Sequence, residues 1–462
     1  MNGQARSFPS ALRMHKTGSA RTRRAKSRRQ ISRQSFLALD WLNFFKADTQ
    51  TTIGAYLAIF LLVIRRWDTA KIGIAISVPG IVAIIAQTPM GALVDWTARK
   101  RTLVAVSALG LGVGAVLLVA YDSLAIVTLA QTTIAVASTV IPPAVASISL
   151  GLVGRRWFAQ RMGRNEAYSH GGALAAAIGA AAIAFVSPAG IFYFAAGLSI
   201  ATALMTFLIR PQDIDPLLAR EGTSNEKGSL VSAALRDLTS NRRVAIFLVA
   251  VILFHLASAA MLPLVGEMIS AHHPDTAQPY MSACIVTSQL IMLPTAIVAG
   301  RLTDAWGRKS TFLIGFGVLP IRGLLLTMVR NPNALVITQI LDGVGTGIFG
   351  VVAVVTVADL ARNTGRFNLM QGAMNTCVAI GGSLSNLIAG FVAKSAGFGT
   401  SFLLLTALAV GALLFFWTLM PETQRRFRRH RRWTWQRAEQ LSIRACHSVR
   451  DLVTTSGLTG KS

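Results

Sequence analysis

The stretch GRLTDAWGRK, residues 300–309, lies between two long apolar runs and decides how the rest of the sequence is interpreted. A second stretch, GALVDWTARK at residues 91–100, also separates two apolar runs. Glycine, leucine, aspartate and a basic pair recur at the same offsets in both stretches. The chain therefore contains one structural unit twice.

The composition indicates a membrane protein. Of the 462 residues, 53% are hydrophobic and only 14% are charged, whereas a soluble chain carries about 25% charged residues. The net charge of +26 would suggest a nucleic-acid partner if the basic residues followed structured elements. They are concentrated instead in the termini and in short segments between apolar runs, so we expect no nucleic-acid binding.

Apolar stretches long enough to span a bilayer recur along the chain. A span needs about 20 mostly apolar residues, and only helices satisfy their own backbone hydrogen bonds in lipid. Twelve stretches qualify, with approximate limits 36–64, 71–94, 102–121, 124–150, 166–187, 189–209, 244–268, 280–300, 310–329, 334–358, 367–393 and 400–420. We therefore expect an all-α membrane protein with twelve transmembrane helices.

One long internal segment of mixed charge divides these stretches into two sets of six. The repeat supports the division, because GRN at 163–165 parallels GRFN at 365–368. The predicted organisation is a basic tail at 1–35, a six-helix bundle at 36–209, a linker at 210–243, a second six-helix bundle at 244–420 and a basic tail at 421–462.

The distribution of basic residues predicts the orientation in the membrane. With the N-terminus inside, 38 of the 45 Lys and Arg residues fall on the cytoplasmic side, as the positive-inside rule requires. We expect an inner-membrane protein with both termini in the cytoplasm. Each tail carries ten basic residues and is expected to contact anionic lipid. A transit peptide is the alternative interpretation of the first 35 residues.

The two repeated stretches resemble the motif G-x-L-x-D-[RK]-x-G-R-[RK] of the major facilitator superfamily. The second copy matches at Gly300, Leu302, Asp304, Gly307, Arg308 and Lys309, and the first at Gly91, Leu93, Asp95, Arg99 and Lys100. The first copy departs at Trp96 and Ala98. The resemblance implies two six-helix bundles around a central cavity, a first span that lines the cavity, and secondary transport by alternating access.

Other spans indicate which subgroup of the superfamily the chain resembles. LNFFKAD at 42–48 and FHLA at 254–257 resemble a bacterial subgroup of the superfamily whose substrates are mostly unassigned. Drug:proton antiporters of the superfamily carry an arginine in the fourth span, where this chain has Gln131, and a Gly-Pro motif in the fifth span, where it has no proline.

Polar residues inside the spans are the candidate site residues, because a charge at bilayer depth costs at least about 2.5 kcal/mol. Asp48 lies in the middle of the first span beside Gln50. A buried carboxylate there can exchange a proton, so we expect Asp48 to be the proton carrier. A permanent partnership with Lys46 is the alternative.

Three further residues are predicted to line the substrate cavity with Asp48 and Gln50. Gln131 and Gln339 occupy matching places in the fourth and tenth spans, and their amides both donate and accept hydrogen bonds. His255 lies near mid-membrane in the seventh span. Interhelical packing is the alternative role for each of the three.

Arg322 and Asp342 are predicted to form an intramembrane ion pair. They lie at similar depths in the ninth and tenth spans, which a short turn connects. Pairing reduces the cost of two buried charges. If the pair does not form, Asp342 becomes a second candidate for proton coupling. Asp40 and Glu267, near span ends, are expected to be solvated.

The repeated motif is predicted to gate access. Asp95 and Asp304 can accept hydrogen bonds from the N-terminus of a neighbouring helix, where the helix dipole favours negative charge. Such contacts would hold one face closed and break when it opens. The predicted gating residues are Gly91, Asp95, Arg99, Gly300, Asp304, Gly307 and Arg308. Because the first copy lacks a glycine and a basic residue, Asp95 is expected to matter less than Asp304.

These features favour a secondary transporter over an enzyme. No phosphate-binding loop, catalytic grouping or cysteine spacing for a metal is found, so we expect no cofactor and no metal. The first hypothesis is proton-coupled export of a small organic solute by a monomer. Uptake of a small polar metabolite by symport and a non-transporting membrane sensor are the alternatives.

Overall fold

The computed structural model describes residues 32–46, 57, 60–184, 186–187, 189–222, 241–272 and 274–424. These ranges are mostly helical and contain no strand. Ten helices in them are long and apolar enough to cross a membrane. One of the ten, Leu124–Ile183, has 60 residues, which is the length of two spans. The first predicted span, 36–64, lies partly outside the described residues.

The N-terminal half consists of the helices before the linker. They are α1 (Arg33–Lys46), α2 (Thr69–Trp96), α3 (Lys100–Ala120), α4 (Leu124–Ala184) and α5 (Gly190–Leu208), with a π-helical turn at Phe60–Ile64. Gly154, at φ 68° and ψ 170°, interrupts α4, so this element supplies the fourth and fifth spans. The limits of the predicted spans left a loop at 151–165. That prediction is wrong, because helix continues on both sides of a single glycine.

The C-terminal half begins after the linker. Its helices are α6 (Arg242–Ser258), α7 (Met261–His272), α8 (Ala277–Ala305), α9 (Arg308–Met328), α10 (Pro332–Leu360), α11 (Phe367–Ala396) and α12 (Phe398–Leu419). Helices α6 and α7 together form the seventh span. The fold is thus all-helical, with two six-helix halves.

Local chemistry sets several helix starts. The Asp68 carboxylate accepts the backbone N–H of Lys71 at 2.8 Å and caps α2. The same bond lowers the pKa of this exposed carboxyl. Asn331 caps α10 through the N–H of Asn333, and Pro332 occupies the first turn, where its missing N–H is not needed.

Apolar packing joins the two halves. One buried cluster, which includes Leu39, Val104 and Phe192, lies within the N-terminal half. A second cluster combines Phe158 of α4 with residues of the C-terminal half such as Phe254. Across the halves, α8 packs on α4 and α11 packs on α2. We call the end of the bundle that carries both motif copies the motif face, and the other end the opposite face.

The first part of the predicted linker is ordered on the motif face. It forms two short 3₁₀ helices, Pro211–Asp213 and Leu218–Arg220. The N–H of Asp215 donates to the carbonyl of Gly151 at 3.0 Å, and the N–H of Gly365 donates to the carbonyl of Glu221 at 3.2 Å. This segment therefore contacts both halves.

Candidate functional site

A cavity of about 250 Å³ lies between the two halves. Helices α1 and α4 line it from one side and α6, α10 and α11 from the other. Its polar side chains come from both halves and are Asn43, Lys46, Asn165, Glu166, His255, Gln371 and Asn375. We call it the central cavity.

Lys46 and Glu166 bring opposite charges into the central cavity. Lys46 ends α1, Glu166 lies in the part of α4 after Gly154, and the two interact electrostatically. A Cβ added to Gly350 of α10 would lie 3.6 Å from Glu166 Oε2. The Glu166 carboxylate therefore lies close to the C-terminal half, and a glycine there leaves it room.

Gln371 and His255 add neutral hydrogen-bonding groups from the C-terminal half. Gln371 is only 2% exposed, and its buried Nε2 has no hydrogen-bond partner among the described residues. His255 Nδ1 lies 3.1 Å from the carbonyl of Val251. Because a carbonyl only accepts, Nδ1 carries the hydrogen and Nε2 is the acceptor nitrogen. The central cavity thus offers a cation, an anion, an amide and an imidazole.

The predicted cavity residues occupy different places. His255 lines the central cavity, whereas Asp48 and Gln50 lie outside the described residues. In the described part of the chain, the lining includes neither Gln131 nor Gln339. Gln339 is fully buried within the C-terminal half, where its Oε1 accepts from Arg322 Nη2 at 2.8 Å.

Arg322 and Asp342 form a salt bridge in the C-terminal half, with Nη1 and Oδ1 2.6 Å apart. Arg322 is fully buried. The hydroxyl of Ser288 on α8 donates to Asp342 Oδ2 at 2.8 Å. The pair thus connects α8, α9 and α10, and neither partner belongs to the described lining of the central cavity.

The first motif copy holds the halves together through Asp95. This buried carboxylate accepts the backbone N–H of Leu369 at 2.8 Å and that of Asn368 at 3.2 Å, and also the Asn368 side-chain amide at 2.6 Å. Leu369 and Asn368 lie in the first turn of α11, whose N–H groups have no helical partner. The sequence predicted that Asp95 accepts hydrogen bonds from the N-terminus of a neighbouring helix. That helix, α11, belongs to the C-terminal half.

The second motif copy makes most of its charged contacts within its own half. Asp304 lies 3.4 Å from Arg308, which bonds to Asp359 at 2.8 Å. Gln160 of α4 supplies a hydrogen bond to Asp304 from the other half. Asp95 thus accepts two backbone N–H groups across the interface, whereas the described cross-half contact of Asp304 is one side-chain hydrogen bond. That Asp95 matters less than Asp304 for transport stays a prediction.

Arg99 does not occupy the place that its motif position predicts. Arg308 donates to the carbonyl of Thr303 at 2.9 Å after Gly307, whose φ is 101°. Ala98 stands at the glycine position in the first copy, and a side chain there disfavours positive φ. Arg99 is consequently exposed, and Lys100 binds the equivalent carbonyl, that of Val94, at 2.6 Å.

The first glycine of each motif copy permits close packing of the halves. A Cβ added to Gly91 would overlap the carbonyl of Asn368, and one added to Gly300 would lie 2.7 Å from the carbonyl of Ala159. Ordinary contacts begin near 3.4 Å. Both copies therefore lie at an interface that is closed in this structure.

Asp40 corrects another expectation. It is fully buried rather than solvated, and it binds Arg161 at 2.7 Å and Arg164 at 2.6 Å. The sequence placed both arginines in a loop. They lie in α4 instead, which brings them alongside α1 and gives Asp40 two charged partners.

The sequence matches the Major Facilitator Superfamily over residues 41–286 and 247–445. The chain belongs to this superfamily. An uncharacterized MFS-type transporter of Mycobacterium tuberculosis, present in two strains, is 45% identical over 389 residues, which cover 84% of this chain and 93% of that protein. Multidrug resistance protein 1 of Bacillus subtilis is 28% identical over 127 residues, or 28% of this chain and 32% of that protein.

Solved MFS structures share the fold. The proton:xylose symporter XylE, bound to 6-bromo-6-deoxy-D-glucose, has a TM-score of 0.64 and 13% identity, covering 85% of this chain and 96% of that chain. The human organic anion transporter MFSD10 has a TM-score of 0.63 and 13% identity, covering 83% and 99%. The chain is thus a multi-pass membrane protein of a transporter family.

In this MFS chain an offset of 209 residues, the separation of Asp95 and Asp304, relates the two halves at the motif face. A Cβ on Gly163 would meet the carbonyl of Ala296, and a Cβ on Gly372 would meet that of Gln87. Both pairs obey the same offset. The parallel drawn between 163–165 and 365–368 is therefore corrected, because Gly163 corresponds to Gly372.

The same offset organises the central cavity. It relates Lys46 to His255 and Glu166 to Asn375, and all four line the cavity. One half thus contributes the charged pair and the other contributes neutral counterparts. Sequence reasoning passed over Glu166 because it lies at a span end beside basic residues, and its counterpart at the 209-residue offset, Asn375, is not a candidate either. Among the described residues, no cluster of His, Cys, Asp and Glu could hold a metal ion.

Proposed function

We propose that this MFS protein is a secondary active transporter that exports a small polar organic solute in exchange for protons. The observation that carries the proposal is the central cavity, lined by both halves and containing Lys46, Glu166 and Gln371, whose Nε2 has no hydrogen-bond partner among the described residues. At about 250 Å³ it is smaller than the roughly 300–1,000 Å³ of drug-binding pockets. A small solute whose polar groups include a positive and a negative charge fits the central cavity.

The roles follow from the charges. Glu166 and Lys46 bind the charged groups of the solute, and Gln371 and His255 orient it by hydrogen bonds. Asp48, two residues beyond Lys46 in the same span, carries the proton. The two halves rock about the cavity, with Asp95 and Asp304 holding the motif face closed in one state.

The proposed orientation and partners are those that the sequence predicts. The motif face is cytoplasmic, with both termini, and the protein acts as a monomer in the inner membrane. The basic tails contact anionic lipid. Because one charge moved across the membrane is worth about 2.3 kcal/mol per 100 mV, a proton gradient drives appreciable export.

Transport of a metabolite panel into inverted vesicles tests the proposal. Proton-coupled export predicts that at least one solute accumulates when the vesicle lumen is acid and does not when the pH gradient is collapsed. Vesicles carrying Lys46→Gln with Glu166→Gln should lose this accumulation. Glu267→Gln, an exposed carboxylate on α7, is the matched control and should retain it. Accumulation that the cavity variants retain would contradict the proposal.

Uptake by symport is the second candidate, since the polar lining of the central cavity also suits a nutrient. The same vesicles separate the two. A symporter would expel a preloaded solute from an acid lumen together with protons, whereas the exporter concentrates solute there.

A further inference from the structure

A second cavity lies on the side of the protein at the motif face. It measures about 830 Å³ and is lined by Phe36 of α1, Ile297 and Arg301 of α8, and Val153, Trp157, Gln160, Arg161, Arg164, Ala167 and Tyr168 of α4. We call it the lateral groove. It is separate from the central cavity, with which it shares no described lining residue.

The lateral groove is strongly basic. Its described lining holds three arginines and no carboxylate. Asp40, which binds two of these arginines, is fully buried and compensates one charge. The third, Arg301, is exposed and has no ion-pair partner among the described residues. Asp304, three residues further along α8, is engaged by Arg308 and Gln160.

Exposed tryptophans indicate that the lateral groove lies at the depth of the lipid headgroups. Trp157 in its lining is 46% exposed, and Trp96 and Trp306, at the ends of α2 and α8, are 53% and 62% exposed. Exposed tryptophans concentrate at the membrane–water boundary. Phe36, Val153 and Ile297 add apolar surface beside the arginines.

We propose that the lateral groove binds an anionic phospholipid, whose phosphate pairs with Arg164 and Arg301 and whose acyl chain lies against Phe36 and Ile297. The groove combines the two features that bind such a lipid, an excess of positive charge and an adjoining apolar wall. Arginine suits the role because its guanidinium remains charged and engages phosphate with two hydrogen bonds.

Such a lipid would bridge the two halves. Arg164 belongs to the N-terminal half and Arg301 to the C-terminal half, next to the close approach of Gly163 and Gly300. A ligand that contacts both halves only when they are together stabilises that arrangement. The bound lipid therefore favours the conformation in which the motif face is closed.

The test measures thermal stability and bound lipid for the purified full chain in phosphatidylcholine, titrated with phosphatidylglycerol. Wild type should gain several degrees and retain a phosphatidylglycerol molecule in native mass spectrometry. Because a basic residue near the surface contributes about fivefold to anionic-lipid binding, Arg301→Gln should weaken the apparent affinity by that factor, and Arg164→Gln with Arg301→Gln by more. Arg330→Gln with Lys394→Gln, two exposed cations of the opposite face, is the charge-matched control.

Each outcome decides the proposal. The groove is supported if the groove variants lose the phosphatidylglycerol gain and the control keeps it, since all variants carry the same basic tails. An equal gain in wild type, groove variants and control would place the lipid effect elsewhere and overturn it. If glycerol 3-phosphate reproduces the gain in thermal stability, the groove binds soluble phosphates rather than a lipid, and the proposal is wrong. If wild type gains no stability from phosphatidylglycerol, the groove does not bind this lipid, and the proposal is also wrong.

Discussion

Arg322 and Asp342 form an ion pair inside the C-terminal half. Arg322 is fully buried, with the carboxylate of Asp342 at 2.6 Å and the amide of Gln339 at 2.8 Å. Arginine does not lose its proton in proteins, whereas a stranded carboxylate can be neutralised by one. The two partners therefore differ in what their removal leaves behind.

Single substitutions of this pair should be unequal. Asp342→Leu strands the Arg322 charge and should destabilise the protein by about 3–5 kcal/mol. Arg322→Leu should cost less, because Asp342 can take up a proton and keeps the Ser288 hydroxyl. The double variant should recover stability relative to Asp342→Leu. Thermal unfolding in one detergent measures all three, and additive losses would show that the two residues do not interact.

The charged pair of the central cavity should act on solute binding. Glu166→Gln removes a charge that meets the solute, so we expect KM to rise about tenfold or more, the loss of about 1.4 kcal/mol or more. Glu267→Gln should leave KM unchanged. An unchanged KM in Glu166→Gln would exclude this carboxylate from the binding site.

Asp48 is expected to separate coupling from binding. Asp48→Asn cannot release a proton, so gradient-driven accumulation should disappear while exchange of labelled for unlabelled solute continues. Both are measured in the same proteoliposomes. The opposite result would be that Asp48→Asn still accumulates solute, whereas Glu166→Gln exchanges solute normally but does not accumulate it. The proton carrier would then be Glu166.

At the residue scale, sequence could predict contacts that depend on depth along neighbouring helices. The ion pair follows from two charges at similar distances from one short turn. The burial of Asp40 does not follow, because its arginine partners lie in a stretch interpreted as a loop. Lys100 replaces Arg99 because one glycine is missing from a turn, and the effect of that loss depends on backbone angles.

At the scale of helices, the spans were predictable because each must satisfy its own backbone in lipid. Their continuity was not. Gly154 interrupts α4 without a long loop, and α6 and α7 form one span with a break. Hydropathy measures the length of an apolar segment. The interruptions within these helices depend instead on single backbone angles and on packing outside the bilayer.

The α2–α11 interface should be sensitive to one methyl group. Gly91→Ala places a Cβ against the carbonyl of Asn368, and overpacking of this kind costs about 1–3 kcal/mol. The closed motif face should become less populated and transport should slow. Gly80→Ala lies in the same helix with nothing within 4 Å of the added Cβ and should be nearly neutral. Equal transport by the two variants would show that this approach does not matter.

At the scale of the whole molecule, two related halves close over one cavity. The offset of 209 residues relates the close glycine contacts of the two halves at the motif face. At the centre the halves differ in chemistry, with Lys46 and Glu166 in one half and His255 and Asn375 in the other. Sequence established the repeat and the family. It did not establish which side chains face the cavity, because that depends on how the halves are rotated against each other.

We propose that the halves alternate about this cavity and that Asp95 and Asp304 hold the motif face closed. Spin-label distances test it most directly, in a chain whose native cysteines are replaced by alanine. One pair, Ala98→Cys with Ser310→Cys, spans the motif face, and another, Tyr121→Cys with Asn333→Cys, spans the opposite face. All four positions are exposed.

The decisive measurement compares these distances with and without Asp95→Asn and Asp304→Asn. Both variants remove a charge that accepts hydrogen bonds across the halves, and such bonds contribute about 1.5–3 kcal/mol each. We expect the double variant to populate a longer distance at the motif face and a shorter one at the opposite face. Unchanged distributions at both faces, or lengthening at both, would contradict it.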